Sequence, residues 1–167
     1  MNASSSWAQG RVALITGATS GFGAAIARRI AAAGGRVVAV GRREDRLAAL
    51  AAEYSGGTVL GRAVDLKEPD AAQAILADLP TAFANIDILI NNAGLALGLG
   101  PAQKASLSDW ETMIGVNVQA MVRLTHALLP RLIDRPRADI LNLASVAASY
   151  PYPGGNVYGA TKAAVAQ

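Results

Sequence analysis

A chain of 167 residues, 52% hydrophobic and 16% charged, suits one domain with a sizeable core and excludes an intrinsically disordered polymer. The absence of cysteine excludes disulfides, thiolate metal sites and cysteine nucleophiles, and it suits a reducing cytoplasm. The net charge of +3 is scattered rather than gathered on a basic face with aromatics, so nucleic acid is not the expected partner. No apolar run approaches the roughly 18 residues of a membrane span.

Met1 to Trp7 has neither the basic start nor the apolar stretch of a signal peptide, and residues 1–10 read as a flexible leader. Residues 11–167 read as one domain in which short β-branched runs alternate with alanine-rich amphipathic stretches. The first strand, Val12 to Thr16, is an unbroken apolar run of the kind buried on both faces of a parallel sheet. A glycine-rich turn and a helix over Phe22–Ala33 follow, ended by Gly34 and Gly35. The second strand spans Arg36–Val40, the second helix Glu44–Tyr54 and the third strand Thr58–Val64. Pro69 suits the first turn of a helix to Leu79, because its missing N–H costs nothing there.

The fourth strand, Asp87–Asn91, leads into Asn92-Ala93-Gly94. Ser108-Asp109-Trp110-Glu111 has the form of a capping box opening a helix to Asp134, bent at Pro130. A fifth, buried strand spans Ile140–Ala144, and the loop Tyr150–Gly155 opens a last helix. The class is α/β: a Rossmann-type doubly wound parallel sheet with helices on both faces. No sixth strand is read before Gln167, so the C-terminal strands are expected to be missing.

Thr16-Gly17-Ala18-Thr19-Ser20-Gly21-Phe22-Gly23 lies between the first strand and first helix, where a dinucleotide pyrophosphate is held. Glycines there allow a tight turn and close backbone approach, and the helix start offers free N–H groups and a positive dipole end. Gly17, Thr19, Ser20, Gly21, Phe22 and Gly23 are therefore candidate cofactor contacts; the alternative is an ordinary tight turn. No Gly-Lys-Ser/Thr follows, which excludes a lysine-bearing phosphate loop. The second strand ends in Gly41-Arg42-Arg43, without the carboxylate that selects the 2′-hydroxyl of NAD. Guanidinium groups at that place can pair with a 2′-phosphate, so the expected cofactor is NADP(H); the alternative is an exposed arginine pair.

Tyr158-Gly159-Ala160-Thr161-Lys162 puts a phenol and an ammonium one helical turn, about 6 Å, apart on one face. Ser145 follows a strand and would reach the same sheet edge as the glycine loop. Asn117 lies amid Met113, Val116 and Val118, where an amide usually has a hydrogen-bonding reason to be.

With these residues in place the chain resembles the short-chain dehydrogenase/reductase family from Arg11 to Gln167. The resemblance rests on Thr16-Gly17-x3-Gly21-x-Gly23, Asn91-Asn92-Ala93-Gly94, Asn117, Ser145 and Tyr158-x3-Lys162, in that order. It implies that Tyr158 exchanges a proton with a carbonyl or alcohol substrate. Lys162 would bind the nicotinamide ribose and make the phenol easier to ionise. Ser145 would hold the substrate oxygen, and Asn117 a water in a relay to Lys162. Asn91, Ala93 and Gly94 would support the adenosine side and the central sheet. Asp65 matches the family's adenine-contacting aspartate, with helix capping as its alternative. A homo-oligomer is also implied.

Asn91 to Gly98, Asp109 to Met113 and Pro151 to Gly159 are further similar to the NADP-dependent 3-hydroxy acid dehydrogenase branch, which implies a short 3-hydroxy acid as substrate. Two other readings stand beside this one: a truncated, non-catalytic nucleotide-binding or interaction protein, and an epimerase or redox-sensing regulator on the extended fold. The latter usually carries Gly-x2-Gly-x2-Gly, which is not the spacing here. His126 has no carboxylate partner of the triad type and reads as a surface or packing residue; Trp110, Met113 and Met121 read as core. No His/Asp/Glu cluster has metal-ligand spacing.

Overall fold

A computed structural model describes residues 6–98 and 100–167. Its strands are β1 (Val12–Thr16), β2 (Arg36–Gly41), β3 (Val59–Ala63), β4 (Ile88–Asn91) and β5 (Asp139–Asn142). They form one parallel sheet in the order β3-β2-β1-β4-β5, the doubly wound arrangement expected from the sequence. The order reverses beside β1, so a crevice opens past the carboxyl ends of β1 and β4.

The period of two along β1 divides the core. Ala13 and Ile15 join Ile30, Val37, Leu47 and Leu50 on one face, covered by α1 (Gly21–Ala32) and α2 (Glu44–Ala52). Val12 and Leu14 join Val38, Val40, Ile75, Leu124 and Leu128 on the other. That face is covered by α3 (Ala71–Leu76), the short α4 (Thr81–Ala84) and α6 (Ala120–Ile133). The remaining helices are α5 (Leu107–Ile114) and α7 (Asn156–Ala166). Of the expected leader, residues 1–5 lie outside the described residues, and Ala8 is fully buried in the first core cluster.

Several local expectations are not met. Pro69 sits in a turn before α3 rather than in its first helical turn. That helix stops at Leu76, because Asp78 takes a left-handed backbone (φ 47°) and Arg62 Nη2 donates to the carbonyls of Ala77 and Asp78, each at 3.0 Å. The capping box does not form: α5 begins at Leu107, and Ser108 bonds Ser106 hydroxyl to hydroxyl at 2.7 Å. The long helix is interrupted not at Pro130, which lies within α6, but by a π turn over Gly115–Gln119.

β5 is also not the buried strand expected. Ile140 and Leu141 are 39% and 47% exposed, because no described strand pairs with its outer edge. At the end of the sheet away from the crevice, the buried Asp87 carboxylate accepts from Val12 N–H and Arg135 Nε, both at 2.9 Å, which ties β1 to the chain after α6. No helix among the described residues is long and apolar enough to cross a membrane.

Candidate active site

The turn after β1 is built for close backbone approach. Gly17 has φ +67° and Gly21 φ +54°, a region that L side chains enter only with strain. A Cβ on Gly23 would meet Gly17 O and Asn92 Nδ2, whereas a Cβ on Gly21 would meet nothing within 4 Å and project into open space. The first turn of α1 holds no acidic residue, so its unpaired N–H groups face outward without a competing carboxylate.

The Asn92-Ala93 segment is pinned to this turn. Thr16 Oγ1 accepts from Asn92 N–H and Ala93 N–H, both at 3.0 Å, and Asn92 Nδ2 donates to Thr16 O at 2.7 Å. Asn91 lies one layer deeper and donates from Nδ2 to Thr125 Oγ1 (3.1 Å) and Asn142 Oδ1 (2.9 Å). The resulting cleft of about 510 Å³ is lined by Gly17, Thr19, Ser20, Gly21 and Phe22, then Arg42, Arg43 and Asp65, then Asn92, Ala93 and Gly94. Its volume is in the ordinary range for small-molecule sites.

The two arginines are placed differently. Arg43 reaches back over the turn: Nη2 donates to Thr19 Oγ1 at 2.6 Å and to Ser20 Oγ at 3.0 Å. Arg42 stands 4.0 Å from Asp65, both well exposed, and Asp65 Oδ1 accepts from Lys67 N–H at 3.0 Å in a local turn. One rim of the cleft thus presents two guanidinium groups and two hydroxyls, a donor set that suits a phosphomonoester.

At the other end, α7 carries Tyr158 and Lys162 one turn apart. Lys162 is only 6% exposed; its Nζ donates to Leu143 O at 2.7 Å, just past β5. A Cβ on Gly94 would come within 3.2 Å of that nitrogen, so this cleft-lining glycine is what lets the ammonium approach. Asn117, in the π turn, accepts from Leu95 N–H and donates to Leu95 O, both at 2.9 Å, and donates to Thr161 Oγ1 at 3.0 Å. A cavity of about 10 Å³, space for one water-sized sphere, is lined by Thr16, Asn91, Asn117 and Lys162 among others. Ser145 caps a short 3-10 turn, its Oγ accepting from Ala147 N–H at 3.2 Å. Tyr158 is half-buried, and its hydroxyl bonds to no described residue.

Burial pushes the Lys162 ammonium below the usual lysine value of 10.5. The folded chain therefore holds this proton less tightly than the unfolded chain, and the charge costs stability at neutral pH. That cost fades as pH rises from the lowered folded value toward 10.5. Lys162→Met is expected to raise the melting temperature at pH 7 by roughly 2–4 °C per kcal/mol relieved, with the gain shrinking as pH rises from the lowered folded value and gone above 10.5. A lower melting temperature would show that the bond to Leu143 outweighs burial.

Sequence reasoning did not single out Thr16, Thr161 or the Leu143 carbonyl. Thr16 alone left a trace, a hydroxyl at the end of an apolar strand beside the first glycine. His126 is exposed, Met113 fully buried, and Trp110 and Met121 partly buried. Among the described residues no cluster of three or more His, Asp or Glu could hold a metal.

Comparison with known proteins decides the family. The profile described as short chain dehydrogenase matches residues 11–167. The chain belongs to the short-chain dehydrogenase family. It is 51% identical over 156 residues to the "NADP-dependent 3-hydroxy acid dehydrogenase YdfG" of Salmonella typhi, covering 93% of this chain and 62% of that protein. It is 54% identical over 154 residues to the "Serine 3-dehydrogenase" of Agrobacterium fabrum, covering 92% and 61%. Among solved structures, the closed form of a serine dehydrogenase complexed with NADP+ superposes with a TM-score of 0.87 at 49% identity, covering 92% of this chain and 62% of that one. This short-chain dehydrogenase thus spans about three-fifths of the length of these relatives.

Proposed function

We propose that the chain is the cofactor-binding and catalytic portion of an NADP-dependent oxidoreductase acting on the CH–OH group of a short 3-hydroxy acid, or on the matching carbonyl. The observation that carries this reading is a cleft with a glycine cradle beside Arg42 and Arg43 and a Gly94 wall that packs on the buried Lys162 ammonium, one turn of α7 from Tyr158; Lys162 and Tyr158 stand next to this lining rather than in it. The residues fit a phosphorylated dinucleotide. The open side of Gly21 and the free N–H groups of α1 suit a pyrophosphate, and the Arg43–Thr19–Ser20 group suits the 2′-phosphate.

When bound, the nicotinamide supplies or accepts the hydride. Tyr158 gives the proton to the carbonyl oxygen in reduction and takes it from the alcohol in oxidation. Lys162 places positive charge one turn away, which favours the phenolate left after proton donation, and its remaining N–H groups suit ribose hydroxyls. Ser145 Oγ accepts from Ala147 N–H and keeps its own proton to donate to the substrate oxygen. The water-sized cavity shared by Asn117 and Lys162 supports a relay that returns protons to the site. Asn91 Oδ1, buried and without a partner among the described residues, belongs to a residue lining the same cavity. Exposed Val122, Leu129 and Ile133 on α6 are consistent with assembly into a homo-oligomer.

Reduction of NADP+ by serine and related 3-hydroxy acids, set against neutral alcohols of equal size, tests the activity. Preference for the acids is expected. Saturable NADPH binding without turnover would favour the non-catalytic nucleotide-binding reading instead. The cofactor choice has its own test: a charge-assisted bond is worth about 1.5–3 kcal/mol, so Arg43→Ala or Arg42→Ala should weaken NADPH roughly ten- to hundredfold and leave NADH almost unchanged. Equal losses for both nucleotides would remove the arginines from 2′-phosphate recognition.

A further inference from the structure

The segment after β4, of which residues 94–98 and 100 are described, has no regular secondary structure at those positions, and its first residues, Gly94 and Leu95, line the cleft. It is held at two places by side-chain amides from distant elements. Asn117 brackets Leu95, accepting from its N–H and donating to its carbonyl. Further along, Asn156 Nδ2 donates one hydrogen to Gly98 O (3.0 Å) and the other to Gly100 O (2.9 Å). Asn156 is the first residue of α7 and lies two positions before Tyr158. Its backbone is left-handed, φ 42°, one of two such non-glycine residues among those described.

These bonds close a ring. Asn156 ties the start of α7 to the segment, the segment returns to Asn117, and Asn117 donates to Thr161, whose hydroxyl donates to Tyr158 O at 2.7 Å. The turn of α7 bearing Tyr158 and the Gly94–Leu95 wall of the cleft are therefore one hydrogen-bonded unit. We propose that Asn156 is a positioning residue, a latch that fixes Gly98 and Gly100 against α7 and so sets the substrate side of the cleft relative to Tyr158. The latch itself follows from the geometry; its catalytic consequence rests on the function proposed above.

Two properties of Asn156 are separable by substitution. Asn156→Gly keeps the left-handed backbone and removes the donor, and Asn156→Asp keeps the shape but turns a carboxylate toward two carbonyl oxygens. Amide hydrogen exchange of residues 95–98 in the unliganded chain reads the latch directly. Both variants are expected to exchange there at least about tenfold faster than the parent chain, with α1 unchanged. Parent-like exchange in Asn156→Gly would overturn the proposal, because only backbone conformation would then matter.

In turnover, substrate KM should rise about tenfold while NADPH affinity stays within twofold, since the Arg43 end of the cleft is untouched. A matching loss of NADPH affinity would make the effect a general unfolding and contradict the latch. A parent chain that turns over no 3-hydroxy acid would defeat the proposed activity, and with it the catalytic consequence of the latch; the exchange result would still decide whether the latch exists.

Discussion

Gly23→Ala is expected to destabilise the chain by about 3 kcal/mol, lowering the melting temperature by roughly 6–12 °C, and to remove NADPH binding. The added methyl would meet Gly17 O and Asn92 Nδ2, and neither can retreat cheaply. Gly17 is fixed by the turn after β1, and the Asn92 amide is committed to Thr16 O and Gly17 O. Space for the methyl requires α1 to move off the sheet or Asn92 to release backbone carbonyls, each at the usual cost of broken hydrogen bonds. Gly21→Ala supplies the contrast. Its Cβ meets nothing, so only the left-handed backbone is strained, at about 1–2 kcal/mol, yet the methyl projects into the space assigned to the pyrophosphate. NADPH affinity should fall in both variants, with the larger stability loss in Gly23→Ala. Equal melting temperatures for Gly23→Ala and the parent chain would show that the turn is looser than the geometry implies.

Tyr158→Phe is expected to lower kcat by about 10²–10⁴ while leaving NADPH affinity within twofold and the melting temperature almost unchanged. The ring and the helix survive the change. The lost hydroxyl has no partner among the described residues, so folding gives up little with it. That combination separates a proton donor from a packing residue, whose removal would act first on stability. Retained turnover would take the phenol out of the reaction, and lost NADPH affinity would give it a binding role instead.

The layered fold was legible because it rests on local patterning. Val12 and Leu14 against Ala13 and Ile15 split β1 between two core clusters, and the alternation of strand and helix leaves few other topologies. Where the reading failed, a contact that the pattern does not announce had overruled a local preference. Arg62 on β3 ends α3 early, and the Ser106–Ser108 hydroxyl pair displaces the capping box. β5 reads as an apolar strand but lies at an open edge of the described sheet. Asn117 was legible as a misplaced polar group, although the π turn around it was not, because one extra residue per turn leaves no periodic trace over five residues. Thr161 and Asn156 escaped notice because their partners, Asn117 and the Gly98 and Gly100 carbonyls, lie 44 to 58 positions away and are invisible to any window of sequence.

The proposed function requires the crevice past β1 to recognise a dinucleotide through its 2′-phosphate. Titrating the chain with NADPH by fluorescence, then displacing it with adenosine 2′,5′-bisphosphate or with 5′-AMP, reads that recognition. Saturable one-to-one binding is predicted, displaced at least about tenfold more readily by the bisphosphate, since the additional phosphate meets Arg42 and Arg43. No saturation, or equal displacement by the two competitors, would contradict it.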